Sequence, residues 1–310
     1  MTVGIGTATG KIILIGEHSV VFGEPAIAFP FPPAKIQAIV TEAQDTMRIK
    51  SSYFEGKLED APSELANLKA IIPHALKILS EPDAKLLIDI TSTIPAERGM
   101  GSSAAVAVAV TRALFDFYGL TINSDMLFDL VQEAEIISHG NPSGIDASAT
   151  SGAHPIYFIK NHPITTFEMN LDGYLVVADT GIKGQTREAV MDVATYVKEH
   201  DEEGQNKITA LGLLATEAKL AIRENQLEAL GTILNDAQTF LAELGVSNET
   251  LDTLIDTALS AGALGAKLSG GGRGGIMIAL AENLVTAQKI EQALQKAGAK
   301  QTWNFNLGVE

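Results

Sequence analysis

An α+β chain in two domains, residues 1–180 and 181–310, is predicted by three features of the sequence. Its 310 residues exceed what a single hydrophobic core usually fills, so two domains are the expectation. The first half reads as strands and helices arranged around a glycine and serine turn between Pro95 and Ala105. From about residue 206 the texture changes to helical hairpins, and the chain closes on strand, helix and strand, the order of a small α+β sandwich.

Residues 11–15 form a short apolar run with β-branched character, ended by Gly16-Glu17-His18. A second run at 26–29 follows the turn Gly23-Glu24-Pro25, which gives strand, polar loop, strand. Residues 36–40 and 46–50 read as further strands. Over 63–79, Leu65, Leu68, Ile72, Ala75, Leu76 and Leu79 share one face at helical spacing, and 85–92 alternates as a strand. After the turn, 104–118 opens with an alanine–valine alternation that would suit a strand, but its length and alanine content favour a buried helix, ended by Gly119. Ser124 is expected to cap a helix to about 138, broken by Gly140-Asn141-Pro142-Ser143-Gly144. Strand-like runs at 156–160, 165–171 and 173–179 come next, and 181–184 turns into a helix near 185–199. Helices at 206–224, 226–244 and 248–262 lead to a strand at 265–268, the loop Ser269 to Gly275, a strand at 276–280, a helix near 283–297 and a strand near 301–307.

With 46% hydrophobic and 19% charged residues and no low-complexity tract, the chain is expected to be ordered and globular. No cysteine is present, which excludes disulfides, thiolate metal sites and cysteine nucleophiles. Neither a secretory leader nor an apolar run of spanning length is evident, so a cytoplasmic enzyme is expected. A formal net charge of −16 argues against nucleic acid or an anionic membrane as partner. An acidic chain that binds a polyphosphate must concentrate positive charge locally, and Lys11, Arg98, Lys183, Arg187, Lys267 and Arg273 stand near glycine-rich turns. A divalent metal could supply the remainder.

The turn Arg98-Gly99-Met100-Gly101-Ser102-Ser103 has the chemistry of an anion cradle: glycines admit a ligand close to the backbone, and the following helix points N–H groups and its positive dipole end at the ligand. Gly99 to Ala104 also fits the dinucleotide pattern G-x-G-x-x-G/A. Against that reading, six residues separate the preceding strand from the first glycine, and another helix follows where a second strand is required. No glycine loop ends in Gly-Lys-Ser/Thr, so the Walker pattern is absent. On its helix Glu135 falls between Val131 and Phe128, inside the apolar sector marked by Leu127, Leu130 and Ala134. A carboxylate so placed needs a partner, either a buried arginine or a Mg²⁺ ion shared with phosphates. Asp146 can cap a short helical turn or serve as a base for a hydroxyl. Lys11 can snorkel outward or stabilise phosphate charge. His18 has no second histidine at zinc-ligand spacing.

Three stretches, 10–23 (with Gly16-Glu17-His18-Ser19-Val20-Val21-Phe22-Gly23), Pro95 to Ala105, and Lys267-Leu268-Ser269-Gly270-Gly271-Gly272-Arg273-Gly274-Gly275, together resemble the three motifs of the galactokinase, homoserine kinase, mevalonate kinase and phosphomevalonate kinase superfamily, in family order. The first of them and Gly140-Asn141-Pro142-Ser143-Gly144-Ile145-Asp146 most resemble the mevalonate kinases, in a bacterial form. The resemblance implies an N-terminal ribosomal-protein-S5-like α+β domain, a C-terminal ferredoxin-like domain, and an active site in the cleft between them. It implies ATP held by Arg98, Gly99, Met100, Gly101, Ser102 and Ser103 with Gly271 and Gly272, and Mg²⁺ ligated by Ser103 and Glu135. Asp146 matches the catalytic aspartate and Lys11 the lysine beside it; Glu17, His18 and Thr186 match positions on the acceptor side. ATP and mevalonate are the implied partners, with a homodimer left open. Arg273 departs from the small residues usual in its loop, which puts that loop's backbone contacts in doubt. The rival readings are the same chemistry on homoserine or phosphomevalonate, a nucleotide-binding regulator without catalysis, and a dinucleotide-dependent oxidoreductase.

Overall fold

The computed structural model describes residues 2–139 and 143–308, so the predicted break at Gly140-Asn141-Pro142 lies outside the described residues. In chain order the strands and helices are β1 (Gly4–Ile15), β2 (Ala26–Glu42), β3 (Arg48–Lys50), β4 (Glu55–Lys57), α1 (Ala66–Ile78), β5 (Leu86–Ser92), α2 (Ser102–Phe117), α3 (Ser124–His139), α4 (Ile145–Ser151), β6 (Ile156–Phe158), β7 (Thr165–Thr166), β8 (Tyr174–Asp179), α5 (Thr186–Glu199), α6 (Asp201–Arg223), α7 (Leu227–Glu243), α8 (Glu249–Ser260), β9 (Gly265–Ser269), β10 (Ile276–Ala281), α9 (Leu284–Lys296) and β11 (Gln301–Asn306). None of the described helices is long and apolar enough to cross a membrane.

Several boundaries differ from expectation for physical reasons. Strand β1 begins seven residues early because its inward positions are Gly4, Gly6 and Ala8 while Ile5 points outward, the reverse of the usual signal. The glycines are needed there: a Cβ on Gly4 or Gly6 would lie 2.2 or 2.0 Å from a carbonyl oxygen of α2. The runs predicted at 26–29 and 36–40 are one strand, β2. Its prolines at 30, 32 and 33 fall between residues 26–28, which pair with β6, and residues 36–42, which pair with β5. Neither ladder loses a donor there. Helix α2 starts at Ser102, two residues before the expected start. Asn123 rather than Ser124 caps α3, its Oδ1 accepting from Met126 N at 2.8 Å. Asn248 and Asn283 cap α8 and α9 in the same way.

The Cα packing divides the chain into two units. The first holds residues up to Lys11, Pro30–Pro95 and Gly101–Ala153; the second holds Ile12–Phe29, Ala96–Met100 and His154 onward. In the first, β4, β3, β5 and β2 lie side by side, β3 parallel to β5 and the other pairs antiparallel. Helices α1, α2 and α3 pack on one another, and α4 packs on α2 and α3. Its core includes Leu68, Ile72, Ile88, Val108, Leu114 and Val131, all fully buried.

In the second unit an antiparallel sheet runs β11-β8-β10-β9. Numbered by appearance that order is 4-1-3-2, with α5–α8 between the first two strands and α9 between the last two: the βαββαβ arrangement of a ferredoxin-like fold. Strand β8 precedes the expected boundary at 180 and is paired on both sides within this sheet. Every residue of β10 is buried, which explains why it reads as an unbroken apolar run.

Candidate active site

In the first unit, Gly101 takes a left-handed conformation (φ 69°, ψ 32°) as the N-cap of α2 and sets the direction of the turn. Its carbonyl accepts from Ala105 N at 2.9 Å, so Ser102 and Ser103 lie in the first helical turn, where amides fall outside the helix's own ladder. Asn67, in the first turn of α1, donates from Nδ2 to Ser103 Oγ at 3.1 Å. Sequence reasoning missed Asn67, whose one signal is an amide side chain beside the apolar positions of a helix; it is 5% exposed.

Lys11 is 3% exposed and does not snorkel. Its Nζ lies 2.9 Å from Asp146 Oδ1, and Asp146 is 33% exposed. Asp146 stands in the first turn of α4, which Gly144 caps with φ 93°. Arg112 steadies the other end of this helix by donating to Ser151 O at 2.7 Å. A Cβ on Gly101 would sit 2.9 Å from Lys11 Cγ and 3.2 Å from Thr150 Cγ2, so glycine is what lets the lysine stem lie against the turn. Glu135 on α3 is 2% exposed, as its place in the apolar sector predicted.

In the second unit the residues expected on the acceptor side converge. His18 adopts φ 61°, and its Nε2 lies 3.1 Å from Gly271 O; facing a carbonyl, Nε2 carries the proton and donates. Nδ1 is then a bare acceptor, buried and without a donor. Gly271 packs so closely on Thr186 that a Cβ would be 2.4 Å from the Thr186 hydroxyl oxygen. Glu17 is joined to Lys267, Oε1 to Nζ 2.5 Å, with both side chains essentially unexposed. Gly272 (φ 74°) approaches Val246 O, where a Cβ would lie at 2.1 Å.

Arg98 and Met100 belong to the turn expected to hold ATP, and the side chains of both are engaged within the protein. Arg98 donates from Nε to Asp179 Oδ1 at 2.8 Å, from Nη2 to Gly181 O at 3.0 Å and from Nη1 to Ala96 O at 3.2 Å, tying the turn to the end of β8. Met100 is 1% exposed, its side chain buried with the core. Gly99 lies against the third-motif loop, a Cβ on it reaching within 3.7 Å of Gly270 Cα. Arg273 turns out of that loop: it bonds Asp192 Oδ2 at 2.5 Å and Gly245 O at 3.2 Å, with φ 55°. Of the six cations expected near the glycine turns, five are already paired with carboxylates: Lys11–Asp146, Arg98–Asp179, Lys183–Glu97, Lys267–Glu17 and Arg273–Asp192. Lys11, Arg98 and Lys267 are the well-shielded members, whereas the Lys183–Glu97 pair is exposed to water.

Burial lowers the His18 pKa from 6.5 to about 4, with Arg273 and Lys267 adding to the shift and the Gly271 hydrogen bond opposing it. The unfolded chain therefore binds a proton between pH 6.5 and 4 that the folded chain does not, and stability is lost as pH falls through that window. The full effect is roughly 3 kcal/mol. His18→Asn, which tolerates positive φ, is expected to flatten the dependence of urea midpoint on pH between 6.5 and 4.5; an unchanged slope would show that other groups carry it.

Two family profiles match the chain: the GHMP kinases N terminal domain over residues 68–152 and the GHMP kinases C terminal domain over 218–300. The mevalonate kinase of Pyrococcus horikoshii is 35% identical over 312 aligned residues, covering 92% of this chain and 92% of that protein. The chain belongs to the mevalonate kinase family of the GHMP kinases. The crystal structure of mevalonate kinase from methicillin-resistant Staphylococcus aureus MRSA252 superposes with a TM-score of 0.78 at 38% identity, covering all of both chains. That likeness takes in Lys11, Glu17 and His18, which lie outside the N-terminal profile. The L. major mevalonate kinase, solved in complex with R-mevalonate, has a TM-score of 0.84 at 26% identity, covering 98% of this chain and 96% of that one.

Proposed function

We propose that this member of the mevalonate kinase family transfers the γ-phosphoryl group of ATP to the C5 hydroxyl of mevalonate, giving 5-phosphomevalonate and ADP. The observation that carries the reading is the buried Lys11 held 2.9 Å from Asp146 against the capping glycine of α2. Asp146 orients the hydroxyl and accepts its proton as the O–P bond forms and the bond to the β-phosphate oxygen breaks. Lys11 stabilises charge on the hydroxyl oxygen and the migrating phosphoryl. The first-turn amides of α2 and the backbone from Gly99 to Gly101, with Gly271 and Gly272, bind the phosphates. Glu17, His18 and Thr186 line the acceptor side.

Mg²⁺ fits the donors present. Ser103 and Glu135 offer the hard oxygens this ion selects, and Glu135 is a carboxylate only 2% exposed, a placement that calls for a charged partner. Among the described residues no group of three His, Cys, Asp or Glu could hold a metal, so phosphate oxygens and water would complete the shell, as Mg²⁺ commonly requires. Bound there, Mg²⁺ would offset phosphate charge that the committed cations do not. Glu135→Gln is expected to raise the Mg²⁺ concentration for half-maximal rate by about tenfold or more, the loss of one charged ligand. An unchanged metal dependence would remove Glu135 from the shell.

The function is tested by ADP release from purified protein offered mevalonate, phosphomevalonate, homoserine and galactose in turn. The reading requires mevalonate to be preferred; preference for another alcohol would replace it.

A further inference from the structure

Lys267 lies in β9, where all five residues are buried, and it is itself 0% exposed. Its ammonium reaches Glu17 Oε1 at 2.5 Å and Leu268 O at 2.6 Å. Burial pulls its pKa below the ordinary lysine value, and the Glu17 charge opposes that pull. A buried ion pair of this kind is a poor device for stability, since well-packed apolar residues of similar volume often do as well or better. What the pair does is local. It fixes one oxygen of Glu17 and leaves the other, Oε2, buried without a donor. The next residue repeats the pattern: His18 is fixed through Nε2 on Gly271 O and leaves Nδ1 buried without a donor. A buried acceptor left unsatisfied is costly, the more so when charged, and two in succession call for a partner that a ligand's O–H groups can supply.

We propose that Lys267 is a positioning residue of the acceptor site: it clamps the Glu17 carboxylate so that Glu17 Oε2 and His18 Nδ1 together receive hydroxyl groups of the alcohol substrate. The inference rests on Glu17 and His18 binding the acceptor. Without the ammonium, the buried carboxyl is driven to take up a proton, which turns an acceptor into a donor, or to swing away from burial. Either change removes a hydrogen bond to a charged acceptor and leaves the nucleotide contacts of the first helical turn of α2 in place.

The test compares wild type, Glu17→Gln, Lys267→Met and the double variant for KM of mevalonate, KM of ATP, kcat and melting temperature. Failure of the wild type to phosphorylate mevalonate would defeat the proposed function, before any variant is read. Given that activity, Glu17→Gln and Lys267→Met should each raise the mevalonate KM about tenfold or more and leave the ATP KM within about twofold. The double variant should match Glu17→Gln in mevalonate KM, because Lys267 acts through Glu17. Should Lys267→Met not fold, the double variant, which carries no unpaired buried charge, is compared with Glu17→Gln alone. The proposal is overturned by an unaltered mevalonate KM in either single variant, by mevalonate and ATP KM rising together with a fall in melting temperature, or by a double variant about tenfold worse than Glu17→Gln.

Discussion

Asp146→Asn should lower turnover by about 10²–10⁴-fold while leaving ATP affinity close to that of the wild type. The amide keeps the shape of the side chain but can neither accept the hydroxyl proton nor hold Lys11 by charge. Lys11, 3% exposed, is then left without its carboxylate. Breaking a fully buried pair costs about 3–5 kcal/mol, but Asp146 is one-third exposed, so water screens part of the loss and the variant should fold. Single-turnover rates with pre-bound ATP separate chemistry from binding. Near-normal turnover would exclude Asp146 from the reaction.

Gly101→Ala should cost about as much in rate without touching any acid or base. Its φ of 69° is left-handed, where alanine is strained by roughly 1–2 kcal/mol. The new Cβ would also stand 2.9 Å from Lys11 Cγ, too close for contact, and the lysine stem is what must yield. A displacement of about 1 Å in a reacting group can cost about 10²-fold. Measured together, kcat should fall by about that factor with a melting temperature only a few degrees lower. A rate within about threefold of wild type would mean that Lys11 position is not critical.

Much of this architecture was legible in the sequence because its signals are local. The glycine turn, the alanine-rich helix and the closing strand, helix and strand each follow from residue type and spacing, and Glu135 was placed in the apolar sector from helical geometry alone. What stayed hidden depends on partners distant in the chain. Strand β1 looked too polar at its start because α2 demands glycine on the inward face. Glu17 matches a position on the acceptor side, but its ion-pair partner Lys267 lies 250 positions away, and nothing near Glu17 announces it. Arg98 and Arg273 read as available cations, and nothing near them in sequence announced Asp179 or Asp192. Asn67 was missed because an amide at a helix start is ordinarily a local cap, and its bond to Ser103 spans 36 positions.

The central claim, phosphoryl transfer to the C5 hydroxyl of mevalonate, is tested most directly by phosphorus NMR of the product formed from mevalonate and ATP. A phosphate monoester on the C5 oxygen, formed in equal amount with ADP, is the predicted result. ADP formed without a new phosphate ester, or a phosphate carried on another oxygen, would contradict it.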